Sequence, residues 1–598
     1  MQHWTQDSEQ VKLFMQRSAA AGVSRRTFMK ILAVAGSATA LAACGAPAAP
    51  APAESGSGEA AAPAAGEMVP DEQQIMRFAS TNEPASHDFN FDLYCNGFTE
   101  LFAGLTRFNT DYQPVPYVAE SFTVSDDGTV YTFKFAPGQT WTNGDPVTPA
   151  DFEWSFKRQL NPETGAPYAA FLFDIKNGEA LNTGAEGITV DDVGVKAVDD
   201  TTLEITLEGP RGYFPTVMAY LAALPAHRAS VEQFGEKWTE AANIVTNGPW
   251  KMISWEHDSS MTFERNDDFA LEPKAKLRKR ITPIIASDAQ LAAYEANEID
   301  RTQQVPVAEV KRLQADPALS QELQTFSLTG TFYLAPSFTM APFDVKEVRQ
   351  ALNHAIDRET IVNSVLQGVG QPAFTFVPPD SPGYVDPAQY DWVNELTNYD
   401  PQKAMDLLVG TPYEGGQNWP EVKITYRSDE LAGVPGLVAQ AIQSMLKENL
   451  NMDVTLEGLE NAVFRSSMWE HKNQLTYVRW YMDYPDPNND HFLVWYSSRS
   501  SGSRHEYADP EYDAMLDEAA GGATMEERMA IYTEAERRMI EEGAATYVYY
   551  PFGLSLYKPW IQGLPKNSAG LNVQDWNIYF GLPQEVYVVD HPDRPELS

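Results

Sequence analysis

The sequence predicts an α/β fold, and three observations lead to it. Leu437, Val438, Ala441, Ile442, Met445 and Leu446 recur at helical spacing and run directly into a strand-like segment at 452–456. Residues 130–135 alternate with period two after the turn Asp126-Asp127-Gly128, and Thr148-Pro149-Ala150-Asp151 then opens a helix. No internal repeat organises the chain, and its roughly 530 residues of globular composition are enough for two or three domains.

The N-terminus predicts export. Ser24-Arg25-Arg26-Thr27-Phe28-Met29-Lys30 precedes an apolar run at 31–43, which closes in Leu41-Ala42-Ala43-Cys44-Gly45. Basic residues, a short apolar core and small residues at its end make a secretory signal. The run is short for a membrane span. The arginine pair followed by Phe and Lys is similar to a twin-arginine export signal. Leu-Ala-Ala-Cys-Gly resembles a bacterial lipobox, in which Cys44 is lipidated and becomes the first residue. The alternative is an uncleaved anchor with a chance cysteine. Residues 1–43 are therefore assigned to the signal peptide. Residues 44–69, mostly Ala, Pro, Gly, Ser and Glu, are assigned to a flexible tether. Acyl chains on Cys44 contribute about 0.8 kcal/mol per buried methylene and would hold the protein on a membrane surface.

The elements follow in order. Residues 75–80 form a first strand. Residues 96–108, with Leu101, Phe102 and Leu105, form an apolar helix or a strand–turn unit. The helix opened at Thr148 has Pro at its first position and Asp151 in its first turn, and Phe152, Phe156 and Leu160 recur along one face. Two strands, 193–197 and 202–207, flank Asp199-Asp200. A bend at Gly248-Pro249-Trp250 leads into a strand pair through Phe263, and 288–296 is a short helix. From about residue 328 the pattern changes. Asp344 and Glu347 suggest a capping box for a helix with Val348, Ala351, Leu352, Ala355 and Ile356 inward. Asp400-Pro401 opens another, with Ala404, Leu407 and Leu408 inward. Thr524 and Glu527 box a later helix with Met525, Met529, Tyr532, Ala535 and Met539 on its face, and 547–550 is a last strand.

Charge excludes some partners. Removal of residues 1–43 takes away five basic and two acidic residues, leaving 38 and 81 and a formal net charge of −43. Nucleic acid needs basic patches and is excluded as a partner. Anionic lipid is disfavoured except through the anchor. The charge either steers cationic ligands or serves solubility in salt. Cys95 is the only other cysteine, so lipidation of Cys44 leaves no intrachain disulfide. No HExxH pair, Walker loop or nucleophile elbow is present, and the nine His do not fall at metal-ligand spacing. No catalytic residue, metal site or cofactor is expected.

One stretch carries recognition chemistry, residues 477–487: Tyr477-Val-Arg-Trp-Tyr-Met-Asp-Tyr-Pro-Asp-Pro487. It begins as a strand and ends in a proline-stiffened turn. Alternation puts Tyr477, Arg479, Tyr481 and Asp483 on one face, which joins a cation, an anion and two rings. This is either an edge that recognises a small ligand carrying an amine, or a surface strand with solvated charges.

Several blocks, taken together, resemble the peptide-binding lipoproteins that feed ABC transporters, especially their oligopeptide-binding branch. They are Pro116-Tyr-Val-Ala-Glu-Ser121, Tyr131-Thr-Phe-Lys-Phe135, Trp141-Thr-Asn-Gly-Asp-Pro-Val-Thr148 with Asp151-Phe152, Phe234-Gly-Glu-Lys-Trp238, Asn243-Ile-Val-Thr-Asn-Gly-Pro-Trp250, the helix from Val348 to Arg358, and Asp483-Tyr-Pro-Asp-Pro487. They run in order from about residue 76 to the C-terminus.

The resemblance implies a two-lobed periplasmic-binding-protein fold of type II, with the extra subdomain of the peptide-binding cluster and a ligand cleft between the lobes. The first lobe is expected at 70–327 and 548–598, its extra subdomain at about 110–225, and the second lobe at 328–547. It also implies that Asp483 pairs with the ligand's α-amino group, that Trp480 stands beside the ligand and that Tyr168 approaches it. The first lobe offers backbone around Asn90 and Asp92 by strand addition. Tyr477 stands where characterised relatives carry an Arg. Arg479, one strand repeat later, either replaces it as a carboxylate partner or forms an ordinary salt bridge. Asn461 takes the place of a pocket Trp, and the basic residue after Ser428-Asp429 is missing.

The expected protein is a monomeric, extracytoplasmic binding protein anchored through Cys44. It captures oligopeptides by lobe closure and passes them to the permease subunits of an ABC importer. Alternatives are a relative that binds a sugar oligomer, metal chelate or opine-like amine, a ligand sensor, and a surface hydrolase.

Overall fold

Three larger sheets and a two-stranded ladder that joins them define the architecture in a computed structural model. It describes residues 66–92, 101–497, 505–522, 524–568, 570, 572–573 and 582–596. The segment read as signal peptide, Cys44, nearly all of the tether and Cys95 lie outside the described residues. Ala65–Ser598 forms one unit.

The first sheet runs in the order Ile75–Arg77, Lys279–Pro283, Ser260–Arg265, Trp250–Glu256, and only its first pair is parallel. A second, antiparallel sheet orders Ala119–Val124, Val130–Phe135, Thr202–Thr206 and Val195–Asp199. The helix Pro149–Leu160 packs against it through Phe152, Phe156 and Leu160, all fully buried. Its start is fixed by Asp151, whose carboxylate accepts the Thr148 backbone N–H at 2.7 Å. Both sheets share one apolar core that includes Trp141, Phe133, Trp250 and Phe263.

The third sheet has six strands, ordered Gln371–Pro372, Thr546–Tyr550, Gly330–Pro336, Leu475–Tyr481, Val422–Arg427, Val454–Leu459. The period-two pattern decides its packing. Phe332, Leu334, Tyr477 and Tyr549 enter the core on one face, and Tyr333, Ala335, Val478 and Tyr547 enter the core on the other. A two-stranded ladder, Leu323–Ser327 with Phe552–Leu556, connects this sheet to the rest, because both of its strands continue into the six-stranded sheet. The junction is closed by the Leu328 N–H donating to the Pro551 carbonyl at 3.3 Å. The chain thus has the two-lobed α/β build.

The structure corrects four details of the sequence reading. Residues 67–69 belong to the fold and not to the tether, since Met68 bridges Val589 and Val69 donates to Val588 at 3.1 Å. The helix Lys346–Ala355 has Val345 as its N-cap with no side-chain bond, so Asp344 lies one residue too early to form a capping box with Glu347. Leu437 is 47% exposed, because Val438, Ile442 and Leu446 form the buried stripe of Val434–Leu450. Met525 is 50% exposed at the first turn of Met525–Glu541, although the Thr524–Glu527 box itself is present.

Candidate functional site

The strand Leu475–Tyr481 runs between two partners and ends opposite Gly330. A Cβ at Gly330 would lie 2.2 Å from the Tyr481 ring, so only glycine lets that ring cross the strand end. The chain then leaves the sheet. Met482 donates its N–H to the Thr329 carbonyl at 2.8 Å, and the side chains of Met482 and Tyr484 enter the core of the first lobe. Asp486 caps the helix Pro487–Trp495 by accepting the Asn488 N–H at 2.9 Å. Its carboxylate also receives Arg528 Nη2 at 2.6 Å, with both side chains buried.

Asp483 stands between these two anchored ends. Its Oδ1 accepts the hydroxyls of Tyr220 at 2.9 Å and Tyr168 at 3.2 Å, both from the part of the chain before residue 328. Its backbone N–H donates to Asn489 Oδ1 at 3.0 Å, and the Asn489 amide N–H reaches its Oδ2 at 3.5 Å. Trp480 donates its indole N–H to the same Asn489 oxygen at 3.0 Å. The rings of Tyr168, Phe171, Tyr220 and Tyr484 pack around the group at centroid distances of 4.7 to 6.4 Å. Burial, then the adjacent Asp483 carboxylate, push the Tyr220 hydroxyl well above the usual phenol range, so it stays a donor. Tyr213 stacks on Tyr484 and lines a cavity of about 280 Å³ with Arg211, Phe492, Tyr496 and Asp517. Phe492 is one helical turn beyond Asn489.

Asp483, Trp480 and Tyr168 are thus brought together. Arg479 and Asn461 meet elsewhere, at the loop after the strand Val422–Arg427. Arg479 is ion-paired with Glu430 and lies over the Tyr481 ring at 4.4 Å. Arg427 pairs with Asp429 at 2.8 Å, and Asp429 accepts the backbone N–H of Asn461.

Tyr477 is placed differently from the expectation, and the side chains of Asn90 and Asp92 are held within their own part of the chain. Tyr477 is 2% exposed and packs on Phe332 inside the second lobe, so it shares the strand face of Arg479 and Tyr481 but not the surroundings of Asp483. The reason is that this face covers the lobe core until the strand ends. Asn90 is buried, and its carboxamide is bonded to Arg158 and Gln159. Asp92 Oδ2 accepts the backbone N–H groups of Ala85 at 2.8 Å and Ser86 at 3.3 Å, so it shapes its own loop.

Sequence reasoning missed Tyr220 and Asn489. Tyr220 lies within an apolar run, 213–224, where it looks like any core aromatic. Asn489 lies in Asn488-Asn489-Asp490, which reads as turn chemistry after two prolines. Among the described residues no group of three His, Cys, Asp or Glu could hold a metal ion, and no helix is long and apolar enough to cross a membrane.

Two α/β lobes joined by a pair of continuous strands are the build of a solute-binding protein. The chain belongs to the bacterial extracellular solute-binding proteins, family 5 (Middle), whose model matches residues 113–502. It is 32% identical over 515 residues to the dipeptide-binding protein DppE of Bacillus subtilis, covering 84% of this chain and 92% of that one. It is 32% identical over 463 residues to the oligopeptide-binding protein OppA of the same organism, covering 75% and 82%. The structure of the Escherichia coli murein tripeptide binding protein MppA superposes with a TM-score of 0.70 at 28% identity, covering 87% of this chain and 99% of that one.

Proposed function

We propose that this protein captures oligopeptides in the cleft between its lobes, with Asp483 receiving the ligand's α-ammonium group. The observation that supports this most directly is the setting of Asp483. Two hydroxyls and one carboxamide orient its carboxylate, and an ammonium is the partner such a carboxylate binds best. Trp480 and Tyr168 would then flank the first ligand residue, and the cavity beside Tyr213 would take a side chain. The relatives named for dipeptides, oligopeptides and a murein tripeptide point to the same ligand class.

The protein would close on its ligand by bending at residues 328 and 551, with 70–327 and the C-terminal segment moving against the second lobe. Closure is a population shift driven by the ligand and not a chemical step. The closed, monomeric protein would deliver its peptide to the permease subunits of an ABC importer, tethered to the outer face of the membrane through lipid on Cys44.

Native mass spectrometry of the purified protein, followed by denaturation and sequencing of what is released, tests the ligand class. A ladder of heterogeneous peptides is expected. A single non-peptide mass would leave the fold standing and overturn the ligand.

A further inference from the structure

Arg479 is the nearest cation to Asp483 along the recognition strand, four residues earlier. Four strand residues span at most about 13 Å, and an extended tripeptide has its two charged ends about 10 Å apart. A short peptide held by its amine at Asp483 is therefore long enough to reach Arg479 with its carboxylate if it runs back along the strand. The guanidinium, however, is already bonded to Glu430, whose side chain is 11% exposed. The same carboxylate lies 4.0 Å from Arg427, which is itself paired with Asp429. Two arginines and two acids balance here, so this end of the site offers little net positive charge to a ligand.

We propose that Glu430 is a specificity-determining residue: by neutralising Arg479 it makes the site indifferent to the ligand's C-terminal charge. Resting on the peptide reading above, this narrows it. The site selects for a free amine and accepts short acids, C-terminal amides and longer chains alike, because Arg479 and Arg427 are both matched by acids and do not fix where the chain must end. Glu430 acts through Arg479 and need not touch the ligand.

The test is calorimetry with trialanine and tetra-alanine, each as free acid and as C-terminal amide, on the full-length protein and three variants. In the unsubstituted protein, acid and amide should bind within about twofold of each other. Glu430→Gln keeps the size of the side chain but removes the charge from Arg479. It should favour the free acid of at least one length by about tenfold, the scale of one charge-assisted hydrogen bond. Glu430→Gln combined with Arg479→Gln should return the ratio to near one, and Arg427→Gln alone should leave it there. An acid-to-amide ratio unchanged in Glu430→Gln overturns the proposal, as does a strong acid preference in the unsubstituted protein. If no peptide of either form binds the unsubstituted protein, while a library of free-amine peptides also fails, the peptide reading itself falls.

Discussion

Asn489 accepts the backbone N–H of Asp483 at 3.0 Å, and so sets the direction in which that carboxylate leaves the chain. Its oxygen also takes the Trp480 indole N–H at 3.0 Å, and the side chain is fully buried. Replacing it by Ala takes the acceptor away from two part-buried donors, at a cost of about 1–3 kcal/mol in stability. Asn489→Asp keeps an acceptor for both donors but puts a second anion beside Asp483. The Ala variant should lose affinity for every free-amine peptide. The Asp variant should stay folded, and its peptide affinity should depend on pH more steeply than that of the unsubstituted protein. Superimposable pH profiles for all three proteins would reduce Asn489 to a packing residue.

Asp483 itself allows a cleaner test. Asp483→Asn leaves a hydrogen-bonding group of the same shape for Tyr168 and Tyr220 but no charge for an ammonium. Truncating one side of a desolvated charge pair costs about 2–5 kcal/mol or more, so free-amine peptides should bind at least about 30-fold more weakly. N-acetylated versions of the same peptides carry no ammonium and should bind both proteins equally weakly. Equal loss for free and acetylated peptides would mean that the substitution disturbed the cleft rather than removed an amine anchor.

Much of this arrangement is legible in the order of residues. The period-two run into Asp483 and the prolines after it show that a strand ends there, and the strand does end at Tyr481. What alternation cannot show is the layer each side chain faces. Tyr477 and Arg479 share a face, but one lies over the lobe core and the other at its rim, a difference of burial along a single strand. The partners of Asp483 are illegible for another reason. Tyr220 comes from 263 residues away and reaches Asp483 only because the lobes meet there. Likewise, nothing in the order of residues announces that Glu430 occupies Arg479, since the contact depends on a loop that packs beside the strand.

The buried acid Asp490 gives a pH prediction. Burial, followed by the charges of Glu536, Asp486 and Asp483, pushes its carboxyl well above the usual range. An unfolded chain releases that proton near pH 4, whereas the folded protein holds it to higher pH. The unfolded state therefore binds fewer protons above pH 4, and stability falls as pH rises towards the folded value. Asp490→Asn removes this penalty and supplies a donor next to Glu536. The variant should be more stable than the unsubstituted protein at pH 7, and the gain should shrink as the pH falls. The two proteins should converge near pH 4. Parallel stability curves across that range would show that Asp490 is not the group responsible.

The Asp486–Arg528 pair fastens the turn carrying Asp483 to the helix Met525–Glu541. Arg528 donates Nη2 to Asp486 at 2.6 Å and Nε to the Ala519 carbonyl at 3.1 Å. Its guanidinium also lies 5.6 Å from the Tyr213 ring, and both charged side chains are at most 2% exposed. Removing one member of such a pair leaves a buried charge alone, at a cost of about 3–5 kcal/mol. Arg528→Met should therefore destabilise strongly. Asp486→Asn should cost somewhat less, because Asn still caps the helix Pro487–Trp495. Combining the two leaves no isolated charge and should recover most of the loss. Urea unfolding of the four proteins measures this, provided the slopes stay equal. If the double variant is as unstable as Arg528→Met alone, the loss comes from the arginine's packing and its bond to Ala519, and the ion pair is not what holds the turn. In the single variants, peptide affinity measured well below the melting temperature should fall as well, because a loosened Asp486 frees the chain three residues after Asp483.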